Sequence, residues 1–231
     1  MNVLRSLLFY IAFYGGTLPY LTAALLALVF APGRIFAIAT AWSRYHRFCL
    51  RHCAGIRVRE TGQRPGGPVV YAFKHESFFE AIDLPVSLHL PVVFAKEELF
   101  SIPGWGRAAH AYGAIPLARK DGAKALRRML SDARRYTEGG RPLVIFPEGT
   151  RVPHGQIAPL KSGFAGLYKL LRLPVVPVAV DSGPCYHRRW KRPGTITIHF
   201  GEPIEPGLPR EEIEARVRDA INVLNEKGGP A

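Results

Sequence analysis

The run Val69-Val-Tyr-Ala-Phe-Lys-His-Glu-Ser-Phe-Phe-Glu80 decides how the rest of the chain is read. Apolar residues Val69 to Phe73 lead to Lys74 and His75, and a helix-start signal follows at once. Ser77, with Glu80 three residues on, forms a capping box, in which a hydroxyl and a carboxylate satisfy amides at a helix N-terminus. The pattern is strand, turn, helix, with His75 delivered at the strand end. On an ideal helix, residues five apart are rotated about 140° from one another. His75 and Glu80 therefore meet only if His75 precedes the helix and the chain turns between them. Capping alone accounts for Ser77 and Glu80, but not for a histidine at a strand end beside Lys74.

About seventy residues on, Leu143-Val-Ile-Phe-Pro-Glu-Gly-Thr-Arg151 repeats the form: an apolar strand, then a turn with one carboxylate and one guanidinium. Strand ends presenting polar groups at one sheet edge are how α/β proteins assemble sites. Further strands are predicted at 56–60, 91–95, 114–118, 175–180 and 195–200, and helices from 77 to about 88, at 122–138, 162–171 and 211–226. The last helix is expected to cap the sheet edge. The fold class that follows is α/β: a largely parallel central sheet flanked by helices, preceded by an N-terminal hydrophobic, membrane-anchoring helical segment.

That segment runs from Ser6 to Ala31 without a charged residue, longer than the ~20 residues a membrane-spanning helix needs. Gly15, Gly16 and Pro19 interrupt it, so a kinked single span and a re-entrant pair of helices both remain open. A cleaved signal peptide fits less well, because the run is long and only Arg5 supplies a flanking charge. Residues 35–53 read as a helix with Arg44, Arg47 and Arg51 on one side and Trp42, Tyr45, Cys49 and His52 on another, as expected of an interfacial helix on anionic lipid. By the positive-inside tendency the arginines face the cytoplasm. The division expected is 1–55 for membrane-anchoring and interfacial helices and 56–231 for the α/β domain.

The chain has 231 residues, with 31 Lys and Arg against 18 Asp and Glu, a net charge of +13. Such a balance calls for an anionic partner, and 48% hydrophobic residues favour a phospholipid membrane over nucleic acid. Three cysteines without metal-ligand spacing point to a reducing compartment and give no metal site. Tyr186 to Arg192 interleaves aromatic and basic residues and reads as a loop at the membrane surface or one meeting the phosphates of an acyl carrier.

Lys74-His-Glu-Ser-Phe-Phe-Glu80 resembles the His-x4-Asp/Glu signature of the glycerophospholipid acyltransferases. Most of that family carry Asp in the last position; here it is Glu80, with Asp83 as an alternative orienter of the histidine. Three further blocks resemble the family in order: Ala95 to Gly106 running on to Gly113–Arg119, Phe146-Pro-Glu-Gly-Thr-Arg151, and Leu173 to Val180. Together they cover about residues 70–205.

The resemblance implies a membrane-bound O-acyltransferase of phospholipid biosynthesis, with His75 as base and Glu80 as its orienting carboxylate. The histidine suits the role because its unperturbed pKa lies near neutrality. Lysophosphatidic acid is the expected acceptor, acyl-CoA or acyl carrier protein the donor, and phosphatidic acid the product, with no cofactor and no metal. For the acceptor, Arg151 is the first candidate, because a guanidinium grips phosphate through two parallel hydrogen bonds. Lys96, Arg119 and Lys161 are expected to complete a cationic pocket. Gly149 permits the tight turn, Gly149 and Thr150 are counted with these among the substrate-binding residues, and Glu148 is expected to position Arg151 or a glycerol hydroxyl. The expected location is the cytoplasmic face of a bacterial inner membrane. Three alternatives stay open: another lyso-lipid acceptor such as lyso-ornithine lipid, a lipid esterase acting through Ser77, and a basic membrane-binding protein without catalysis.

Overall fold

Alternation along one strand sets the architecture. In the computed structural model, which describes residues 2–117, 122–187 and 189–225, β2 (Val70–Phe73) lies at the middle of a seven-stranded sheet. Val69, Tyr71 and Phe73 pack on one face, against Phe9, Phe13, Cys49, Leu50 and Phe79. Val70 and Ala72 pack on the other, against Phe164, Leu167, Ile213 and Val217. A strand buried on both faces reads as a continuous apolar run, and that is why 69–73 has no polar alternation.

The other strands are β1 (Ile56–Gly62), β3 (Val92–Lys96), β4 (Ile115–Leu117), β5 (Leu143–Ile145), β6 (Val175–Val180) and β7 (Gly194–Phe200), in the spatial order β1-β7-β6-β2-β5-β3-β4. From β6 to β4 every neighbouring pair is parallel; β7 turns antiparallel to β6, and β1 lies parallel to β7. The carboxyl ends of β5, β2 and β6 therefore stand side by side on one sheet edge, with β2 in the middle.

Helix α1 (Asn2–Phe30) contains Pro19 without being broken into two helices. A short turn at Pro32–Arg34 leads into α2 (Ile35–Cys49), which returns along α1. Trp42 Nε1 donates to Thr17 Oγ1 at 3.0 Å, and the Tyr45 hydroxyl to the Ala12 carbonyl at 2.7 Å. Trp42 and Tyr45 of the expected stripe thus face α1 and Cys49 joins the core, while His52 is exposed. The arginines also divide: Arg44 and Arg51 are exposed, whereas Arg47 binds Asp83 at 2.7 and 2.6 Å, Glu60 and Ser87. Phe9 and Phe13 share a core with strand residues, so the apolar packing runs across position 55 without a break.

α3 (Phe79–Ser87) follows the His75 turn, and α4 (Trp105–Tyr112), α5 (Gly122–Glu138) and α6 (Ser162–Leu171) complete the crossovers. α7 (Arg210–Ile221) corrects one expectation. It does not cap an edge: Ile213, Val217 and Ile221 pack on the sheet face over β6 and β2. Three apolar residues at helical spacing bury far more against a sheet face than against a strand edge, at roughly 1.5–3 kcal/mol for each fully buried aliphatic side chain.

Candidate active site

His75 and Glu80 come together as the strand–turn–helix reading requires. His75 Nδ1 lies 3.0 Å from Glu80 Oε2, and the same oxygen accepts the Ser77 amide at 2.9 Å. The Ser77 hydroxyl accepts the Phe79 amide at 3.0 Å, one residue short of the Glu80 amide that a full capping box engages, and α3 itself starts after Phe78. One carboxylate therefore both caps α3 and holds the imidazole. Glu80 Oε1 accepts from the Ser182 hydroxyl, itself 2.8 Å from Ser77 Oγ. The imidazole also lies 4.3 Å from the Phe146 ring. With Nδ1–H donated to Glu80, the lone pair sits on Nε2, the nitrogen left for proton transfer.

The alternative orienter is engaged elsewhere, since both oxygens of Asp83 bind Arg47. Ser77 Oγ is tied to Phe79, Ser182 and Glu80, so the side chain is committed to the cap.

Glu148 departs from its expected place. It is buried, its Oε1 accepts Lys74 Nζ at 2.7 Å, and its Oε2 accepts the His75 amide at 3.2 Å. Lys74 also donates to Asn222 Oδ1 at 2.9 Å and to the Gln156 carbonyl at 3.1 Å, so all three ammonium protons are matched. The carboxylate of the Phe146–Arg151 turn thus fixes the backbone that carries His75 and does not position Arg151. A local reading of the sequence misses this because Lys74, the residue before the histidine, turns inward to meet it.

Arg151 stacks on the Phe78 ring, 4.0 Å from its centroid, and stays exposed. Gly149 takes φ +66, and a Cβ there would stand 2.8 Å from Lys161 Cγ, so the turn and the lysine stem fit only around glycine. Thr150 and Lys161 are exposed beside it. Lys96 ends β3, with β5 between it and the His75 strand. Arg119 lies outside the described residues.

Ser182, Gly183 and His154 join the site unforeseen. The signal for the first two was the strand-end rule again, since both lie within three residues of the end of β6. Gly183 N donates to Glu76 Oε2 at 2.7 Å, and His154 Nδ1 lies 3.0 Å from Glu76 Oε1. Burial pushes the Glu76 carboxyl up to about 7, against the opposing effects of the Gly183 amide and His154.

A cleft of about 720 Å³ opens between α1 and this sheet edge. Phe13, Tyr14, Trp42 and Ile82 give it an apolar part, and Arg151, His154 and Lys191 a basic part. Around the expected Tyr186–Arg192 loop, His187, Arg189, Trp190 and Arg192 are exposed, as a surface loop requires. Tyr186 and Lys191 are buried, and the segment is pinned to α1 by the Tyr10 hydroxyl donating to the Arg189 carbonyl at 2.7 Å. Among the described residues no group of three or more His, Cys, Asp or Glu is arranged to hold a metal.

The family model described as Acyltransferase matches residues 55–181, which include β2, the His75–Glu80 pair and the Phe146–Arg151 turn. The chain is 30% identical to a 1-acyl-sn-glycerol-3-phosphate acyltransferase of Pseudomonas aeruginosa, over 98% of this chain and 88% of that one. It is 26% identical to the alpha form of that enzyme from Mus musculus, over 90% of this chain and 75% of the relative. The crystal structure of the 1-acyl-sn-glycerophosphate acyltransferase of Thermotoga maritima superimposes with a TM-score of 0.67. That match covers 98% of this chain and 95% of the other at 23% identity, and shows the shared fold.

Proposed function

Because the chain belongs to the acyltransferase family, we propose that it moves a fatty acyl group from acyl-CoA or acyl carrier protein to the sn-2 hydroxyl of lysophosphatidic acid. The product is phosphatidic acid. The observation that carries the reading is the 3.0 Å contact of His75 Nδ1 with Glu80 at the end of the central strand.

The acceptor hydroxyl gives its proton to His75 Nε2 as its oxygen attacks the thioester carbonyl. The new C–O bond forms, the tetrahedral intermediate collapses, the C–S bond breaks, and the imidazolium returns the proton to the leaving thiolate. Glu80 stabilises the imidazolium while it exists and holds its orientation. In this mechanism Arg151 grips the acceptor phosphate, a role supported by its exposure at the cleft and its stacking on Phe78. Lys96, Thr150 and Lys161 supply further polar and positive groups on the same sheet edge.

The anchoring follows from the hairpin. α1 exposes Leu4, Leu7, Leu8, Ile11, Leu18, Leu26 and Val29, an apolar surface of the kind that seeks lipid. Phe9 and Phe13 of α1 and Cys49 of α2 pack with strand residues, which supports a hairpin that enters the inner membrane from the cytoplasmic side and returns. In sealed vesicles, a tag before Asn2 is expected to be as accessible to added protease as the domain. Protection of only one of the two would contradict the hairpin.

The acceptor is tested by offering the purified chain an acyl thioester with lysophosphatidic acid, with lyso-ornithine lipid, or with no acceptor. Phosphatidic acid formed in preference to the other products supports the reading. Free fatty acid without acceptor would make the chain an esterase, and liposome binding without turnover would leave it a membrane-binding protein.

A further inference from the structure

Lys191 is a buried cation with no ion-pair partner among the described residues. It is 3% exposed, and among the described residues no carboxylate is paired with it. Its Nζ donates to the His187 carbonyl at 2.9 Å and lies 3.6 Å from the Tyr186 ring centroid, with the Tyr10 and Phe9 rings at 5.4 and 5.7 Å. Ring faces and one carbonyl offset only part of what an ammonium loses on leaving water. Burial accordingly pulls its pKa down to about 8, and no acidic neighbour opposes the shift.

The placement is held from both sides. Lys191 N donates to Ser6 Oγ at 2.8 Å, so the backbone is fixed against α1. Lys191 lines the cleft together with Arg151, His154 and His187. Glu76 is the one acidic residue lining it among the described residues, and its oxygens are taken by His154 and Gly183. The basic end is therefore short of negative charge, while Phe13, Tyr14 and Trp42 make the remainder apolar.

We propose that Lys191 anchors the phosphate ester of a bound substrate in the cleft that it lines with Tyr10, Phe13 and Tyr14 of α1, the substrate bringing the counter-ion that the described residues do not supply. Two sources carry that chemistry under the acyl-transfer reading on which the proposal rests: the phosphate of the lyso-lipid acceptor, and those of the donor's carrier.

The test compares the full chain in detergent micelles with Lys191→Met, which keeps the length of the stem among the rings, and Lys191→Arg, which keeps the charge. Lys191→Met is expected to raise the KM for one substrate by roughly tenfold or more, with kcat little changed, as loss of a charge-assisted hydrogen bond implies. A rise for lysophosphatidic acid assigns the site to the acceptor, and a rise for the acyl thioester to the carrier. Lys191→Arg is expected to retain most of the affinity.

A binding arm separates this proposal from the acyl-transfer reading. Glycerol 3-phosphate or coenzyme A is expected to raise the melting temperature of the native chain but not that of Lys191→Met. The ligand-free variant is expected to melt no lower than the native chain, because it has lost an uncompensated buried charge. If the melting shift appears without turnover of any lyso-lipid, the site stands and the acyl-transfer reading falls. If neither ligand shifts the native chain and neither KM moves, or if Lys191→Met merely melts lower, Lys191 is structural and the proposal is wrong.

Discussion

Glu80 Oε2 accepts two hydrogen bonds, from His75 Nδ1 at 3.0 Å and from the Ser77 amide at 2.9 Å, so one carboxylate starts a helix and aims a histidine. The two duties separate on substitution. Glu80→Gln can still accept from the Ser77 amide but no longer balances an imidazolium. Its kcat is expected to fall about 10²- to 10⁴-fold, the range of general-base catalysis, with the fold intact by circular dichroism. Asp83→Asn strips a buried partner from Arg47 and is expected to lower stability rather than to match that loss in kcat. Equal kcat losses in both would reopen which carboxylate serves His75.

Lys74 and Glu148 are wholly buried and paired at 2.7 Å. Removing one partner leaves the other charge uncompensated, which costs on the order of 3–5 kcal/mol. Glu148→Ala is therefore expected to lower the urea midpoint sharply, with the same slope, and to harm activity through the fold. A variant of native stability whose KM for lysophosphatidic acid alone has risen would return Glu148 to the substrate.

Glu76 makes stability depend on pH. Its folded pKa is raised from 4.5 to about 7, so the folded state holds this proton more tightly than the unfolded chain does. The contribution is fully present below about 4.5 and is lost as pH rises through about 7. Glu76→Gln, permanently neutral, is expected to abolish this part of the slope. The difference between native and variant unfolding free energies, followed from pH 4 to 8, checks it. A flat difference would mean that the carboxyl titrates alike folded and unfolded.

Local patterns carried the frame of this molecule. The unbroken apolar run from Val69 to Phe73 announced a doubly buried strand, and the same signal at Leu143 and Val175 placed its two neighbours. The capping box put Glu80 within reach of His75 because turn and helix start lie within six residues. Contacts between distant parts of the chain were not legible. Whether Lys74 points in or out depends on Asn222, 148 positions away, and the burial of Lys191 depends on Ser6 and Tyr10 in α1. Arg47 looked like one of three equivalent surface arginines until α3 supplied Asp83. α7 was recognisable as amphipathic, but no local signal says which part of a sheet an apolar stripe will cover.

The most direct measurement is acyl transfer from an acyl thioester to lysophosphatidic acid in detergent micelles by the native chain, His75→Ala and Arg151→Ala. Loss of turnover in folded His75→Ala, with Arg151→Ala chiefly raising the KM for the phosphorylated acceptor, is the predicted result. Full activity in folded His75→Ala would contradict the assignment of the base and, with it, the mechanism.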